Sequence, residues 1–275
     1  MTVKKILPGV GILTIFLALL FWIPVPGIRE FSGFEIFLYF LIVAFLDTAV
    51  LSYLILYSHW KGWKQVFGVF VLFYGVMTLM SQIETVVFLS FLQEIVSREE
   101  IPQLFIEGLI ISGIYSPAAV FLFEKIRKDR EKETLKKISF SPVGLVWKLI
   151  LTGVIYMFIY ILFGAFVFKP LAGEAFARFY GNSQLPVWII PFQIIRGMIW
   201  GFLAVLVLLM IVQWKRARLV TALLFSIIMG TLLLVPNPYM PEVIRLSHFV
   251  EVTSSNFLFG WLAVTILRTA TVRGG

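Results

Sequence analysis

The chain has 275 residues, of which 60% are hydrophobic and 14% are charged, and its mean hydropathy is +0.97. Soluble domains are roughly half apolar and about a quarter charged, so this composition excludes an ordinary soluble domain. The formal net charge of +8 falls in alternate loops, which indicates membrane topology and argues against a nucleic-acid partner.

Eight apolar stretches follow one another along the chain. Each is long enough to cross a hydrocarbon layer of about 30 Å, which takes about 20 helical residues. We therefore predict an all-α fold, a polytopic transmembrane helical bundle of about eight spans, with residues 1–275 forming a single membrane domain. The first four and the last four spans show no recognisable sequence repeat. The spans lie near residues 6–24, 35–57, 66–93, 103–123, 144–168, 187–213, 217–236 and 243–267.

Lysine and arginine are concentrated at the N-terminus, in every second loop and in the C-terminal tail. By the positive-inside rule this bias predicts that both termini are cytoplasmic, in a bacterial-type cytoplasmic membrane. The same alternation requires an even number of spans, in agreement with the count of eight. The basic segments hold Lys4, Lys5, Lys61, Lys64, the run from Lys125 to Lys137, Lys215, Arg216, Arg218, Arg268 and Arg273. The other loops hold Arg29, Arg98, Lys169, Arg178 and Arg245.

Two loop segments carry further expectations. Residues 124–142 form a basic cytoplasmic linker, which we interpret as a solvated extension of the fourth span. Attraction to anionic lipid or docking of a cytoplasmic partner is the alternative. Residues 169–186 form an external interfacial segment with Phe176, Phe179 and Tyr180 at helical spacing. This spacing is consistent with a short helix in the outer interface. An ordinary interfacial loop is preferred over the alternative, a lid over an outward-facing cavity.

Ionisable residues at membrane depth are costly, and they usually face the interior of a bundle, where they often mark function. The last span carries a polar stripe that includes His248 and Asn256, with Glu251 at its edge. Polar residues of the third, fourth and sixth spans fall at similar depth in the outer half. We therefore predict one outward-facing pocket with the substrate-binding residues Arg196, Glu84, His248, Glu251, Asn256, Gln193 and Glu107.

The charged groups also have structural interpretations. Arg196 would pair with Glu84 or Glu251 and hold helices together. His248 lies three residues before Glu251, a carboxylate that can fix its tautomer. A functional and a packing role for this histidine therefore stay equally open.

Three further residues favour structural roles. Gly197 and Gly201 form a GxxxG pattern, which is typical of close helix packing. Asp47, in the second span, is interpreted as a residue that hydrogen-bonds one helix to another rather than as a proton relay.

Familiar catalytic motifs do not occur in the chain. Without Walker A, GxGxxG, HExxH or GxSxG, the nucleotide, dinucleotide, zincin and serine-hydrolase classes lack support. Cysteine is absent, and two histidines, His59 and His248, are too few for bis-histidine haem or histidine-rich di-iron sites. We predict neither a cofactor nor a metal.

One family shares the residue types of the predicted pocket. Glutamate-type intramembrane proteases of the CAAX-processing class use Glu, Arg, His and Asn, and here Glu84, Arg196, His248 and Asn256 are similar to that set. However, Leu104 stands where the Glu-Glu-x-x-x-Arg motif of that family needs arginine. Membership and family roles are therefore not inferred.

The leading functional hypothesis is a permease-like or binding protein with an outward-facing polar pocket for a small or amphiphilic ligand. Arg196 would attract an anion, and Glu84 and the His248/Glu251 pair would carry protons. Membrane lipid and a small-molecule or lipid-like ligand are the expected partners.

Two other hypotheses stay open. In an intramembrane hydrolase or lipid-modifying enzyme, His248 would act as general base, with Glu251 or Glu84 orienting it or holding a metal and Arg196 stabilising an oxyanion. In a non-catalytic subunit of a membrane complex, the polar cluster would only hold helices together. No catalytic residue is assigned beyond the candidates His248, Glu251 and Glu84.

Overall fold

The computed structural model describes residues 3–22, 34–92, 100–126, 138–181, 186–237, 240–268 and 271–273. The chain divides into two compact units. Unit 1 consists of Met1–Lys132 and Ile227–Tyr239, and unit 2 consists of Glu133–Ser226 and Met240–Gly275. The single membrane domain stays a prediction. Most of the predicted basic linker, residues 127–137, lies outside the described residues.

Unit 1 is helical throughout its described part. A π-helical turn at Gly75–Leu79 joins two of its helices, and the Met80 amide there donates to the Gly75 carbonyl, one residue further back than in an α-helix. A 3₁₀ turn, Thr231–Leu234, also belongs to this unit. Its helices are α1 Val3–Trp22, α2 Phe34–Tyr57, α3 Gly62–Tyr74, α4 Met80–Leu92 and α5 Glu100–Ile126.

A π-helical turn lies wholly in unit 2, and another begins there and has its last two residues, Ile227 and Ile228, in unit 1. Gly164–Phe168 joins α6 to α7, and Leu224–Ile228 continues α10. Its helices are α6 Pro142–Phe163, α7 Lys169–Ala172, α8 Glu174–Tyr180, α9 Ile189–Met210, α10 Trp214–Leu223 and α11 Glu242–Arg268.

Two three-residue strands add to the otherwise all-α fold. β1, Ile138–Phe140, pairs antiparallel with β2, Thr271–Arg273, with Ser139 opposite Val272. The hydropathy pattern did not predict this ladder, because three residues on each side are too few to show a period. The pairing ties the start of α6 to the chain beyond α11.

Within the described residues, seven helical stretches are long and apolar enough to cross a membrane, which confirms the polytopic helical bundle. Helices suit this role because they satisfy every backbone polar group internally in lipid. The first predicted span, near 6–24, is α1, whose apolar portion Ile6–Trp22 is shorter than the other seven. The side of the membrane on which each terminus lies stays a prediction. The seven are Phe34–Tyr57, Gly62–Val87, Ile101–Lys125, Pro142–Ala172, Ile189–Met210, Trp214–Leu234 and Glu242–Arg268.

The predicted external segment near 169–186 differs from the structure in two ways. The candidate span Pro142–Ala172 includes its first residues. The helical spacing is then broken at Gly173, which adopts a positive φ of 53°, a conformation that glycine tolerates well. The predicted short helix is present as α8, and it ends at Tyr180 before Gly181, which has a φ of 59°.

The two units have the same internal order of helix packing. In unit 1, α1 packs on α2 and α5, and α3 packs on α5 and α2. In unit 2, α6 packs on α9 and α11, and α10 packs on α11 and α9. The second helix of each set also touches the last. Each unit is therefore a four-membered helix arrangement with one pattern of neighbours, although the sequence shows no recognisable repeat.

Glycines bring α6 and α9 of unit 2 into close contact. A Cβ added at Gly197 would lie 2.5 Å from Tyr156 Cβ and 2.8 Å from Gly153 Cα. One added at Gly201 would lie 2.7 Å from Thr152 Oγ1. The packing role predicted for Gly197 and Gly201 is confirmed, because no larger residue fits there without moving α6.

Some of the basic residues that predicted the topology stack on tryptophans in unit 2. The Arg218 guanidinium lies 3.8 Å from the centroid of Trp261 and 4.7 Å from that of Trp214, and Arg268 lies 4.0 Å from Trp214. Tryptophan and arginine are typical of the membrane–water interface. This stack is where α10 and α11 would leave the hydrocarbon layer.

Candidate functional site

The clearest polar arrangement in unit 2 is centred on His248 of α11. Its Nδ1 lies 3.2 Å from Oε2 of Glu251, one turn further along the same helix. Its Nε2 lies 2.8 Å from the hydroxyl of Tyr180, the last residue of α8. Both ring nitrogens therefore have a partner, and the imidazole connects a carboxylate with a phenol 68 residues away in the chain.

Aromatic packing fixes the plane of this imidazole. The ring of Phe168 stacks on it with a centroid distance of 3.9 Å and an interplanar angle of 17°. Phe168 and Ala172 form a small apolar core with Ile244 of α11, against which Phe176 and Tyr180 pack. The helix breaks at Gly173, and α7 before it and α8 after it both contact α11. Tertiary contacts, and not local sequence, thus bring Tyr180 to the histidine.

The hydrogen-bond partners limit the protonation pattern of the trio. When Glu251 is ionised its carboxylate only accepts, and Nδ1 of His248 is then the donor. In the neutral ring Nε2 then accepts from the Tyr180 hydroxyl. The side chains of His248 and Glu251 are 22% and 10% exposed, so solvent reaches the histidine more readily than the carboxylate. The arrangement can pass a proton between Tyr180 and Glu251 through the two ring nitrogens.

Arg196 of α9 is a second polar group of unit 2 and is only 2% exposed. Its Nη1 donates to Oε1 of Gln193 at 3.4 Å, and its guanidinium lies 5.7 Å from the centroid of the Tyr156 ring. Trp200 follows one turn later and is fully buried. The predicted grouping of Gln193 with Arg196 is therefore present, and an aromatic face of α6 adds to it.

The remaining predicted residue of the last span is also inside the protein. Asn256 is 5% exposed, and its neighbours Ser255 and Arg245 on α11 are 7% and 4% exposed. The buried face of α11 is thus polar over several turns. Such a polar face packs inside the protein rather than against lipid.

Glu84 and Glu107 belong to unit 1, whereas the other predicted residues belong to unit 2. Glu107 of α5 is 6% exposed and lines a cavity with Gln82 and Thr78. Glu84 lies on α4 and is partly buried. The single shared pocket stays a prediction, because its members fall in separately described units.

Two polar residues gain importance from the structure. From the sequence, Tyr180 was predicted only as an interfacial aromatic residue, because no local pattern predicts its hydrogen bond to His248. Asp47 is fully buried, and its Oδ1 accepts a hydrogen bond of 2.9 Å from Thr231. The helix-to-helix role predicted for Asp47 agrees with this contact. A proton-relay role, the alternative, is not tested by it.

Among the described residues, no group of three or more His, Asp and Glu side chains could hold a metal ion. The His248/Glu251 pair supplies two donors, whereas catalytic zinc takes three protein ligands. The metal-dependent version of the enzyme hypothesis therefore has no complete ligand set in the described part of the chain.

Comparisons with known proteins leave the site to be interpreted from its own geometry. The chain matches no protein-family model, no curated protein and no solved structure. What the arrangement fits is a multi-pass integral membrane protein with a buried polar face in unit 2.

Proposed function

We propose that the chain is a permease-like membrane protein that moves a small anion together with protons. The observation that carries the proposal is the continuous hydrogen-bonded path from Tyr180 through His248 to Glu251. Such a path connects α8, which follows the fourth candidate span Pro142–Ala172, with a carboxylate on the candidate span Glu242–Arg268. A group of this kind is typical of proton relays in transporters.

The buried guanidinium of Arg196 supports an anionic substrate. Removing an arginine from water costs several kcal/mol, and this one lies at 2% exposure in a 22-residue apolar helix. A neutral amide, Gln193, is one of its hydrogen-bond partners. A planar guanidinium can bind carboxylate or phosphate oxygens through two parallel hydrogen bonds.

π-helical turns within two of the candidate spans give further support. Gly75–Leu79 lies in the span Gly62–Val87, and Leu224–Ile228 lies in the span Trp214–Leu234. Such turns are common at functional positions.

Reconstitution into liposomes tests the proposal. Vesicles containing the purified full-length chain and a trapped pH dye receive potassium phosphate, sulfate, citrate or glutamate from outside. We expect at least one anion to cause protein-dependent acidification of the lumen. His248→Gln and Glu251→Gln should reduce the initial rate at least about tenfold, because each removes one link of a general acid–base path.

Matched controls separate the path from general damage. His59→Gln changes the other histidine, and Glu174→Gln changes an exposed acid that pairs with Arg178. Both should keep the rate of the unaltered chain. Acidification that is equal in empty vesicles, or unchanged in His248→Gln, would overturn the proposal.

The enzyme alternative is favoured by one contact, the 2.8 Å separation of the Tyr180 hydroxyl and His248 Nε2. A phenol beside a carboxylate-oriented imidazole can serve as general acid or base. The test is incubation of the purified chain with vesicles of phosphatidylethanolamine and phosphatidylglycerol, followed by mass spectrometry of the lipids. A product that disappears with Tyr180→Phe would favour the enzyme, and an unchanged lipid profile counts against it.

A further inference from the structure

A basic and aromatic cluster of unit 2 lies where α10 begins and α11 ends. The guanidinium of Arg218 lies 4.7 Å from the ring centroid of Trp214 and 3.8 Å from that of Trp261. Arg268, at the end of α11, lies 4.0 Å from the centroid of Trp214. Lys215 is exposed and precedes Arg218 on α10 by about one helical turn. These five residues are called the Arg218 cluster, and they bring cations of two helices to one place.

A third helix adds positive charge at the same end of α11. Nζ of Lys148, on α6, donates to the carbonyl oxygen of Ile266 at 2.8 Å. Ile266 belongs to the last turn of α11, next to Arg268. Cations from α6, α10 and α11 therefore share one end of unit 2.

The carboxylates in the described part of unit 2 lie away from this end. Glu251 precedes Trp261 on α11 by a distance of about 15 Å, at about 1.5 Å per residue. Glu242 begins that helix, and Glu174 belongs to α8, whose last residue bonds to His248. Within the described part of unit 2, the Arg218 cluster is therefore positive, and it favours an anion.

Aromatic stacking holds the guanidinium of Arg218. Its Nε is buried, and no residue in the described part of the chain hydrogen-bonds to it. Stacking uses the face of a guanidinium and leaves in-plane N–H donors for oxygen ligands. A planar fork of this kind binds phosphate oxygens through two parallel hydrogen bonds. The chemistry of the cluster therefore fits a phosphate group.

Exposed apolar side chains adjoin the cluster on the side of the candidate spans. Leu219 follows Arg218 on α10, and Phe257 and Leu258 lie about one turn before Trp261 on α11. The Phe257 ring stacks on that of Trp261 with a centroid distance of 6.3 Å. A phospholipid joins a phosphate to acyl chains, so it can contact the cations and this apolar surface together. Free phosphate would contact the cations alone.

Unit 1 carries a related pattern in the corresponding helix. α3 takes the place in the packing of unit 1 that α10 takes in unit 2, and residues 60–66 and 214–220 both read Trp-Lys-x-x-basic-x-Val. Nζ of Lys64 lies 4.4 Å from the centroid of the Trp60 ring. However, the carboxylate of Glu124 accepts a hydrogen bond from the backbone at the start of α3. This negative charge offsets the lysines, so the pattern of unit 1 serves as an internal control.

We propose that the Arg218 cluster binds the headgroup phosphate of an anionic phospholipid. Lys215 and Arg218 supply charge and donors, and the two tryptophans hold Arg218 in place. A zwitterionic headgroup brings an ammonium group close to these cations, which disfavours it. By the predicted topology the lipid belongs to the cytoplasmic leaflet, where basic residues next to a span attract anionic lipids. The binding is independent of the proposed transport function.

Thermal unfolding of the purified, delipidated full-length chain in detergent tests the binding. Phosphatidylglycerol, phosphatidylcholine and glycerol 3-phosphate are compared at equal concentration. We expect a saturable rise in Tm of about 3 °C with phosphatidylglycerol, because a ligand that binds only the folded state stabilises it. An equal rise with phosphatidylcholine would overturn the proposal, since it would reflect lipid contact in general. An equal rise with glycerol 3-phosphate would also overturn it, since the site would then take a soluble anion.

Variants locate the effect in the cluster. Arg218→Gln should raise the half-saturating concentration of phosphatidylglycerol at least about tenfold, because it removes both the charge and the guanidinium fork. Arg218→Lys keeps the charge but loses the fork, so the increase should be about threefold. Lys64→Gln removes a cation from the related pattern of unit 1 and should leave the response unchanged. An unaltered response in Arg218→Gln, or an equal loss in Lys64→Gln, would contradict the site.

A second measurement covers an Arg218 variant that does not fold. Lys215 is exposed, so Lys215→Gln should keep the fold and weaken the binding. Native mass spectrometry reports the phosphatidylglycerol that stays bound after detergent is removed. We expect the unaltered chain and Lys64→Gln to retain it and Lys215→Gln to lose most of it. Equal retention in all three chains would reject the cluster, and so would absence of retention together with absence of a Tm response.

Discussion

Units 1 and 2 repeat one order of helix packing but place different chemistry on it. In unit 1 the buried polar groups of the described residues are acids and neutral side chains, Asp47, Glu107 and Thr78 among them. In unit 2 they include a guanidinium, Arg196, and an imidazole that is held on both sides. The shared architecture is set by apolar packing, which leaves the polar positions free to differ.

The difference in polar groups suggests that the two units have different roles. In the proposed function, the basic groups of unit 2 would serve the anion and its protons. Each unit has its own π-helical interruption close to its polar groups. The substitutions below test how far the similarity and the difference extend, from the largest expected effect to the smallest.

The tightest glycine contact in unit 2 should give the largest loss of stability. A Cβ at Gly153 would collide with the backbone carbonyl of Ile194, which cannot move without moving α9. We expect Gly153→Leu to lower the free energy of unfolding by about 3 kcal/mol or more. The measurement is the folded fraction after heating, by size-exclusion chromatography with fluorescence detection.

Unit 1 offers a matched comparison for that substitution. Gly108 meets a side chain, that of Thr78, instead of a backbone atom, so Gly108→Leu should be less damaging. Gly113, on the same helix α5, has nothing within 4 Å of an added Cβ, so Gly113→Leu should be near neutral. Equal damage at all three positions would mean that the glycine contacts do not distinguish the units.

The buried hydrogen bond of unit 1 should give an intermediate effect. Thr231→Val removes the hydroxyl that donates to Asp47 and leaves a fully buried carboxyl without that partner. Such a loss costs about 1–3 kcal/mol. Thr265→Val, which removes an exposed hydroxyl bonded to its own helix, should cost about 0.5 kcal/mol or less. Chemical denaturation followed by tryptophan fluorescence would measure both, and a neutral Thr231→Val would refute the structural role.

The smallest effect is expected at the end of α8. Tyr180→Phe removes one hydrogen bond of His248 but keeps the aromatic ring, so stability should fall by only about 0.5–1.5 kcal/mol. The change should be local, because α8 then loses its polar connection to α11. Hydrogen exchange at Glu174–Tyr180 should accelerate, while Tyr53→Phe should leave that exchange unchanged. Identical exchange in both variants would show that packing alone holds α8.

Much of the fold could be predicted from the sequence because a membrane helix is a local property. About 20 apolar residues must be helical in lipid whatever surrounds them, so the seven candidate spans lie close to their predicted positions. The similarity of the two units could not be recognised, since many apolar side chains serve equally well against lipid. The break at Gly173 was missed because the spacing of the aromatics alone favoured one continuous helix.

In the candidate site, too, local contacts could be predicted from the sequence and contacts between distant helices could not. The pairing of His248 with Glu251 was predicted, because three residues make a helical turn, and so was the grouping of Gln193 with Arg196. The contact of Tyr180 with His248 and the cavity at Glu107 were not, because each joins helices that are distant in sequence. The shared pocket and the orientation of the termini stay predictions.

The sequence by itself determined that most of the chain lies in lipid, and it identified the ionisable residues whose burial there costs free energy. Hydropathy locates the spans, and an ionisable group inside a span is usually paired or functional because its burial is costly. Only the tertiary structure decided which of these groups meet, because side-chain contact depends on helix rotation and on small residues such as Gly108 and Gly197 that permit close approach. The hydropathy pattern does not determine those rotations, because they are set by the packing of one helix against another.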